Sequence, residues 1–311
     1  RLARTPLSAE VFLGGTRTGI IFPGERLRFS VRYGNNTEFP LENVSIRIVP
    51  EGGVLDLASI ETEDGGVFDA ISRAIIWGPG GTAALRELKA GERGEFKFSI
   101  RTRARPPMRN LNDANMRVGI TTSIKAAGIP RELAGTDLSS SDRIEFKVRS
   151  LVLFAGRALY RTSPLANSGP MPPKVGVKTA YTIFWEVRNF TNELREVEAR
   201  VSLPPNVKWE NVVSPEGAAI SFDAASNEVK WRIGILPAGT GVLTPALTAA
   251  FKVSIIPSEA DAGQAVTLAG GAEISGRDTF TEEDTEARID SITTELREDP
   301  AVSANEWRVM R

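Results

Sequence analysis

Apolar and polar residues alternate along several short stretches of this chain. In residues 27–33 the apolar positions are separated by Arg28, Ser30 and Arg32, and residues 44–49 and 96–101 follow the same pattern. Because successive side chains of a strand point to opposite faces, a period of two predicts strands with one buried face. Glycine- and proline-rich turns separate these runs, and no long amphipathic helical stretch is present. The pattern predicts an all-β chain of antiparallel sandwich type.

Several segments of the first half return in the second half in the same order. FDAISRAIIW at 68–77 returns as FDAASNEVKW at 222–231. Residues 27–35 likewise match 181–189, residues 96–100 match 251–255, and the LKAG and LPAG tetrapeptides at 88–91 and 236–239 correspond. Such a long period fits whole tandem domains. We therefore predict a first sandwich repeat over 9–149, a second over 150–299 and a C-terminal extension over 300–311.

The junction between the two predicted repeats is short. Arg149 and Ser150 alone separate the last predicted strand of the first repeat from the opening strand of the second. A flexible linker needs length and a permissive composition, and neither is present. The sequence therefore predicts that the two domains form an elongated, stiff rod.

Trp77 and Trp231 occupy equivalent positions at the end of an apolar run in each repeat. A tryptophan placed there brings on the order of 200 Å² of surface into a sandwich core, so we predict that both are structural core residues. A carbohydrate-binding tryptophan is the alternative. The Ala-Gly pair of each tetrapeptide suits a turn in which glycine adopts positive φ. Asn35 and Asn189 are expected to occupy left-handed positions in the turn after the first long strand.

Four segments of the second repeat resemble a known family. They are PPKVG at 172–176, YTIFWEVRN at 181–189, LPPNVKW at 203–209 and VKWRIGILPAG at 229–239. This order of motifs is similar to the conserved-repeat, immunoglobulin-like β-sandwich domains of large bacterial cell-surface proteins. The resemblance covers most of residues 172–299, and the first repeat is a looser relative. It implies tandem immunoglobulin-like sandwiches and an extracellular, cell-surface location, and it brings no general catalytic residues with it.

The composition argues against catalysis. The 311 residues include no histidine and no cysteine, which excludes a Ser-His-Asp triad, a Cys-His pair, disulfides and the common zinc sites. Paired carboxylates remain possible, with candidates at Asp56, Glu61, Glu63 and Asp64. A Lys–Asn isopeptide crosslink is a further option, but no strand places lysine clearly inward. We expect no enzymatic activity and no cofactor.

Charge and hydropathy limit the partners. The net charge of −1 lacks the basic excess of a nucleic-acid binder. The longest uncharged run, 234–251, contains prolines and glycines and predicts strand and turn rather than a membrane span. The chain starts at Arg1 without a signal-peptide pattern, which predicts a processed piece of a longer protein.

Two surface clusters could bind ligands. Asp278, Glu282 and Asp284 are weak calcium candidates because hard cations prefer oxygen donors, with a solvated acidic loop as the alternative. Arg101, Arg103 and Arg105 are spaced to lie on the outward face of one strand, with Arg109 just beyond. This stripe could bind an anionic polymer, or it could protect a sheet edge from aggregation.

These observations favour a non-catalytic structural repeat module, the stalk or spacer segment of a bacterial surface-exposed protein. The expected partners are neighbouring repeats of the same longer chain. The alternative is a ligand-binding adhesin module that contacts glycan, cell-wall polymer or a protein partner.

Overall fold

The computed structural model describes residues 5–303 and 305–311. The chain divides into two compact units. The first unit takes in the described part of residues 1–107 together with 115–149, and the second unit takes in 108–114 and 150–311. Segment 108–114, which the sequence assigned to the first repeat, therefore falls in the second unit. In the described residues the chain is all-β, and its helical turns are short 3₁₀ turns at Ala83–Leu85, Leu111–Asp113, Arg131–Leu133 and Glu259–Asp261.

The first unit contains two sheets. Its strands are β1 (Leu7–Leu13), β2 (Ile20–Ile21), β3 (Arg26–Asn35), β4 (Leu41–Glu51), β5 (Leu55–Thr62), β6 (Val67–Asp69), β7 (Ala74–Trp77), β8 (Glu87–Leu88), β9 (Arg93–Thr102), β10 (Arg117–Gly128) and β11 (Ser139–Val148). One sheet has the order β1-β3-β9-β5 and the other β2-β11-β10-β4-β7-β6, with β8 added to β4. Both sheets contribute to one hydrophobic core, which is consistent with a β-sandwich.

The second unit repeats this design with variations. Its strands are β12 (Val152–Leu159), β13 (Thr179–Asn189), β14 (Leu194–Ser202), β15 (Val207–Ser214), β16 (Ile220–Asp223), β17 (Glu228–Leu236), β18 (Leu247–Ile255), β19 (Thr267–Ala269), β20 (Ala272–Asp278), β21 (Asp284–Ile289) and β22 (Ile292–Thr293). The sheets run β12-β13-β18-β15 and β16-β17-β14-β20-β21, and β19 pairs with β22. A separate core lies within this unit.

Alternation places the core residues as the pattern predicted. Leu27, Phe29 and Val31 of β3 are buried and stand opposite Ile100, Phe98 and Phe96 of β9. The Phe29 and Phe98 rings stack with centroids 4.8 Å apart. The polar residues between them therefore lie on the outer face of the same sheet.

The repeated decapeptide forms a β-hairpin in each unit. In the first unit β6 pairs with β7, and in the second β16 pairs with β17. The Asp69 carboxylate accepts hydrogen bonds from the backbone N–H groups of Ile71 and Ser72, and Asp223 accepts one from the N–H of Ala225 at 2.9 Å. These are Asx turns that reverse the chain ahead of the core strand. In both units the aspartate therefore stabilises the turn of the hairpin.

Asn35 and Asn189 have a different role from the one predicted. Each ends a long strand and is buried, and neither has positive φ. The Asn35 amide donates to the carbonyl oxygens of Leu88 and Lys89 at 3.0 and 3.1 Å. The Asn189 amide donates to those of Leu236 and Pro237, both at 3.1 Å. The prediction of a left-handed turn residue is wrong, because these asparagines hold the LKAG and LPAG loops through buried carbonyl groups.

Candidate functional site

Trp77 and Trp231 both lie in cores. Trp77 is fully buried, stacks on Phe96 at 5.3 Å and donates its indole N–H to the carbonyl oxygen of Glu63 at 2.9 Å. Trp231 is 4% exposed and stacks on Trp185 at 6.2 Å. Neither ring presents the open face that a sugar would need, so their contacts are those of packing residues.

The arginine stripe is not a stripe along one strand. Arg101 lies on the outer face of β9, but β9 ends at Thr102, and Arg103 and Arg105 follow it as exposed loop residues. At this end of the strand the buried Thr102 hydroxyl donates to the carbonyl oxygen of Phe22 and accepts the N–H of Glu25, which ties β9 to the turn before β3. Prolines at 106 and 107 then remove two backbone donors. Arg109 belongs to the second unit.

A groove on the outer face of the β1-β3-β9-β5 sheet has a better-defined geometry. We call it the basic groove. Its volume is about 440 Å³, and it lies within the first unit. Its polar lining comes from β3, β9 and the end of β5 and consists of Arg26, Arg28, Ser30, Lys97, Ser99, Glu61, Thr62 and Glu63. Gly14 and Gly15, in the turn after β1, form one wall.

Strand register arranges the floor of the basic groove. Arg28 stands opposite Ser99, and Ser30 stands opposite Lys97. Directly opposed side chains lie about 5 Å apart at Cβ and diagonal ones about 7–8 Å apart. The floor is therefore a square of two cations and two hydroxyl groups, with like groups on the diagonals.

Not every cation of the groove is equally available. The Arg26 guanidinium is paired with Glu61, and Arg26 stands opposite Arg101 in the ladder. Arg28 and Lys97 are exposed and form no ion pair within 4 Å in the described part of the chain. A like-charge pair across a ladder is unfavourable, so the Glu61 carboxylate is needed where Arg26 faces Arg101.

A bulge in β5 shapes the wall of the groove. The pairing of β5 with β9 is interrupted between Asp56 and Glu61. The Ser59 hydroxyl accepts the Arg101 N–H at 2.8 Å and donates to the carbonyl oxygen of Asp56 at 2.6 Å, so the backbone stays hydrogen-bonded. Bulges of this kind redirect side chains. Here Glu61 and Glu63 come to line the groove beside its cations.

The sequence missed Arg28 and Lys97 as site residues. Alternation already placed both on outward faces, because each lies between buried neighbours of β3 or β9. The missing information was the strand register, which sets Arg28 against Ser99. Of the carboxylates considered for catalysis, Glu61 and Glu63 line the groove as exposed groups.

The three calcium candidates are not brought together as ligands. Asp278 is fully buried. Its carboxylate accepts the N–H groups of Ser150, Phe280 and Thr281 at 2.9–3.0 Å and the Asn192 amide at 2.8 Å. Glu282 and Asp284 are exposed, and in the described residues no group of three or more acidic side chains could hold a metal ion. The hydrogen bonds of Asp278 organise a turn instead.

The second strand of the first unit is joined directly to its last strand. Strand β2 pairs with β11, the last strand, through Ile20 opposite Lys147 and Ile21 opposite Val148. This pairing is parallel, whereas the other paired strands of the described residues run antiparallel. The Arg149 N–H extends it by donating to the carbonyl oxygen of Ile21 at 3.0 Å. We call this contact the terminal clamp.

The C-terminal segment of the second unit is also held in place. Val309 and Met310 form parallel bridges with Ala262 and Lys174, respectively. The Met310 N–H donates to the carbonyl oxygen of Pro173 at 2.7 Å. Residues 305–311 thus pack back onto the unit that precedes them, rather than forming a separate extension.

An aspartate and an ion pair reinforce this C-terminal docking. The Asp299 carboxylate accepts the N–H groups of Tyr160 and Arg161, both at 2.7 Å, and the Thr162 hydroxyl at 2.9 Å. Burial alone would raise the pKa of Asp299, but these hydrogen bonds outweigh it and hold the pKa below its usual range. Arg161 also forms a two-pronged ion pair with Glu306 at 2.8 and 2.9 Å.

Among the described residues, no helix is long and apolar enough to cross a bilayer. No protein-family model matches this chain, and no curated protein matches it.

Solved structures match the chain only weakly. AvmM, which catalyses macrocyclization in alchivemycin A biosynthesis, is 15% identical over 47% of this chain and 89% of that one, with a TM-score of 0.29. A family 123 glycoside hydrolase from Clostridium perfringens is 10% identical over 46% of this chain and 27% of that one, with a TM-score of 0.27. A type I cohesin–dockerin complex from Clostridium thermocellum is 11% identical over 48% of this chain and 98% of that one, with a TM-score of 0.26. Likenesses at this level identify neither family nor activity.

Proposed function

We propose that this chain is a non-catalytic structural module that transmits tension, a stalk or spacer segment of a bacterial surface-exposed protein built from immunoglobulin-like sandwiches. The observation behind the proposal is the terminal clamp, in which β2 and the last strand of the first unit, β11, run parallel and are hydrogen-bonded. The enclosing sheets and the repeated hairpins support the same interpretation.

Parallel pairing determines how tension acts on the clamp. Tension from the N-terminal side of the first unit reaches β1 first, and once β1 has separated from β3, β2 is drawn toward its N-terminal end while β11 is drawn toward its C-terminal end. In a parallel pair these ends lie on opposite sides of the contact, so the strands must slide past each other. The hydrogen bonds of Ile21 and its neighbours are then loaded together rather than one after another. Simultaneous loading raises the force that the unit withstands before it unfolds.

The second unit has a comparable arrangement at its exit. The bridges of Val309 and Met310 are parallel, and the Arg161–Glu306 ion pair ties the C-terminal segment to the chain just after β12. Tension applied through the C-terminus therefore reaches these contacts first. A load-bearing role accounts for why both ends are secured by backbone bonds.

The cell-surface location is supported by the resemblance of segments 172–176, 181–189, 203–209 and 229–239 to bacterial surface repeats. The elongated arrangement of the two domains stays a prediction from the short junction. Surface labelling of the intact producing cell with an antibody against this chain would test the location. Labelling confined to permeabilised cells would contradict it.

The load-bearing role can be tested by single-molecule force spectroscopy of the full chain. Arg149→Pro removes the N–H that donates to Ile21, and Arg149→Ala keeps that N–H while deleting the same side chain and its 5.1 Å contact with the Phe22 ring. We expect the proline variant, but not the alanine variant, to lower the unfolding force of one of the two units. Equal unfolding forces for both variants and the parent would refute a mechanical role for the clamp.

A ligand-binding adhesin module is the second candidate. The basic groove favours it, because Arg28 and Lys97 lie on an accessible face and have no ion-pair partner among residues 5–303 and 305–311. A spacer that also binds an envelope component would combine both roles.

A further inference from the structure

We infer that the basic groove binds an acidic polysaccharide, a glycan that carries carboxylate groups along its chain. The inference does not depend on the load-bearing role, because the groove lies in the β1-β3-β9-β5 sheet and the terminal clamp lies in the other sheet of the first unit.

The first argument is the availability of the cations. Arg28 and Lys97 occupy diagonal corners of the groove floor and form no ion pair in the described residues. Arginine offers a planar fork that matches a carboxylate in two parallel hydrogen bonds, and lysine provides a compact point charge. Together they can bind two carboxylates of one extended ligand.

The second argument is the mixture of groups. The hydroxyl groups of Ser30 and Ser99 fill the other two corners, and the Ser30 side chain also bonds the Glu95 carboxylate next to Lys97. The carboxylates of Glu61 and Glu63 stand at the wall. Hydroxyl groups both donate and accept, and ionised carboxylates accept only. A ligand that fits must therefore bring anionic groups for the cations and hydroxyl donors for the glutamates, and an acidic glycan has both.

The same glutamates disfavour a plain polyphosphate. Polyphosphate has no hydroxyl donors along its chain, and its charges would meet Glu61 and Glu63 at close range. Like charges brought together at a binding surface lower affinity. The volume of about 440 Å³ is within the usual range of small-ligand sites.

Calorimetry on the full chain tests the inference. The probe is an oligogalacturonate, with a neutral oligosaccharide of equal length and a polyphosphate as comparators. The double variant Arg28→Gln/Lys97→Gln removes both unpaired cations. The matched control is Lys125→Gln/Arg131→Gln, which removes two exposed cations from the same unit away from the groove. We expect the groove variant to weaken oligogalacturonate binding at least about tenfold, the size of two lost charge-assisted contacts, and the control to retain it.

The Glu63→Gln variant distinguishes specific binding of an acidic glycan from general binding of polyanions. We expect this variant to bind oligogalacturonate more weakly, because the neutral amide is a poorer acceptor for hydroxyl groups, and to bind polyphosphate more strongly. The inference is overturned if the parent does not bind oligogalacturonate. Equal losses in the groove and control variants, or polyphosphate binding as tight as that of the uronate, would also overturn it. Circular dichroism of each variant verifies the fold.

Discussion

One buried amide organises the end of the long inner strand in each unit. The Asn35 side chain donates to three backbone carbonyl groups, of Phe39, Leu88 and Lys89. Its amide oxygen accepts the N–H and hydroxyl of Thr37. Carbonyl groups buried in this way have no water to replace a lost donor. The local fold therefore depends on the chemistry of this single side chain.

We expect Asn35→Ala to destabilise the first unit by about 3 kcal/mol, since it leaves several buried groups unsatisfied. Asn35→Asp should be no better, because a carboxylate cannot donate to the three carbonyl groups. Chemical denaturation measures both, with the half-buried neighbour Asn36→Ala as the control. If Asn35→Ala lowers the free energy of unfolding less than Asn36→Ala does, this account of Asn35 is contradicted.

Tyr181 and Tyr160 form a natural pair for comparison. Tyr181 is fully buried, its hydroxyl has no hydrogen-bond partner in the described residues, and burial raises the pKa of its phenol. The Tyr160 hydroxyl donates to the carbonyl oxygen of Gly169 at 2.6 Å. We expect Tyr181→Phe to leave the free energy of unfolding unchanged or slightly higher. Tyr160→Phe should lower it by about 1 kcal/mol. Thermal unfolding of the two variants checks the order, and a larger loss for Tyr181→Phe would contradict it.

Among the elements, the hairpins and bulges show the clearest repetition. Arg73 and Asn227 have φ of 49° and 56° at corresponding turn positions, and Asn43 and Glu196 both have 54° within β4 and β14. Non-glycine residues rarely adopt this conformation. The surrounding strand ladders hold the positive-φ conformation in both units. In β14, register shifts mark the bulge.

The C-terminal docking should depend on pH through Asp299. Its pKa in the folded chain lies below the unfolded value, which is about 3.9 for aspartate. The stabilisation is therefore fully present above the unfolded pKa and is lost as the pH falls through the folded pKa. We expect Asp299→Asn to cost about 2 kcal/mol at neutral pH and progressively less in acid.

Denaturant unfolding between pH 7 and acid pH measures this effect, with the exposed Glu216→Gln as the control. A difference in the free energy of unfolding between Asp299→Asn and the parent that stays constant down to the lowest pH would contradict the role given to the carboxylate.

Local patterns predicted the strands because burial imposes a period of two on them. Residues 27–33 and 96–100 lie in β3 and β9, and Gly91 and Gly239 have the positive φ expected of their turns. Features set by distant partners were not predictable in this way. Two of the three carbonyl groups bound by Asn35 lie more than fifty residues away, and nothing local marks Arg73 as left-handed.

The candidate site followed the same division. The sequence placed Arg28 and Lys97 on outward faces, but their neighbours across the ladder depend on register. The predicted stripe continued past Thr102, the last residue of β9. Thr102 bonds a turn eighty residues away in sequence, a contact that alternation does not reveal. No sequence pattern in segment 305–311 predicted its bridges to Ala262 and Lys174.

At the scale of the whole molecule, the chain consists of two units with separate hydrophobic cores. The absence of cysteine allows two engineered cysteines to serve as unique attachment points. Forces can therefore be applied to the terminal clamp in chosen directions without altering its hydrogen bonds.

The central claim is that the terminal clamp resists tension because its parallel strands are loaded in shear. Pulling the full chain through cysteines at Thr18 and Arg149 draws β2 and β11 along each other. Attachment at Thr18 and Glu145 applies force at one end of the same contact and peels it, because Ile20 faces Lys147. We predict a clearly higher rupture force for the Thr18–Arg149 pair. Equal forces in the two geometries, or a higher force for the peeling pair, would contradict the load-bearing account.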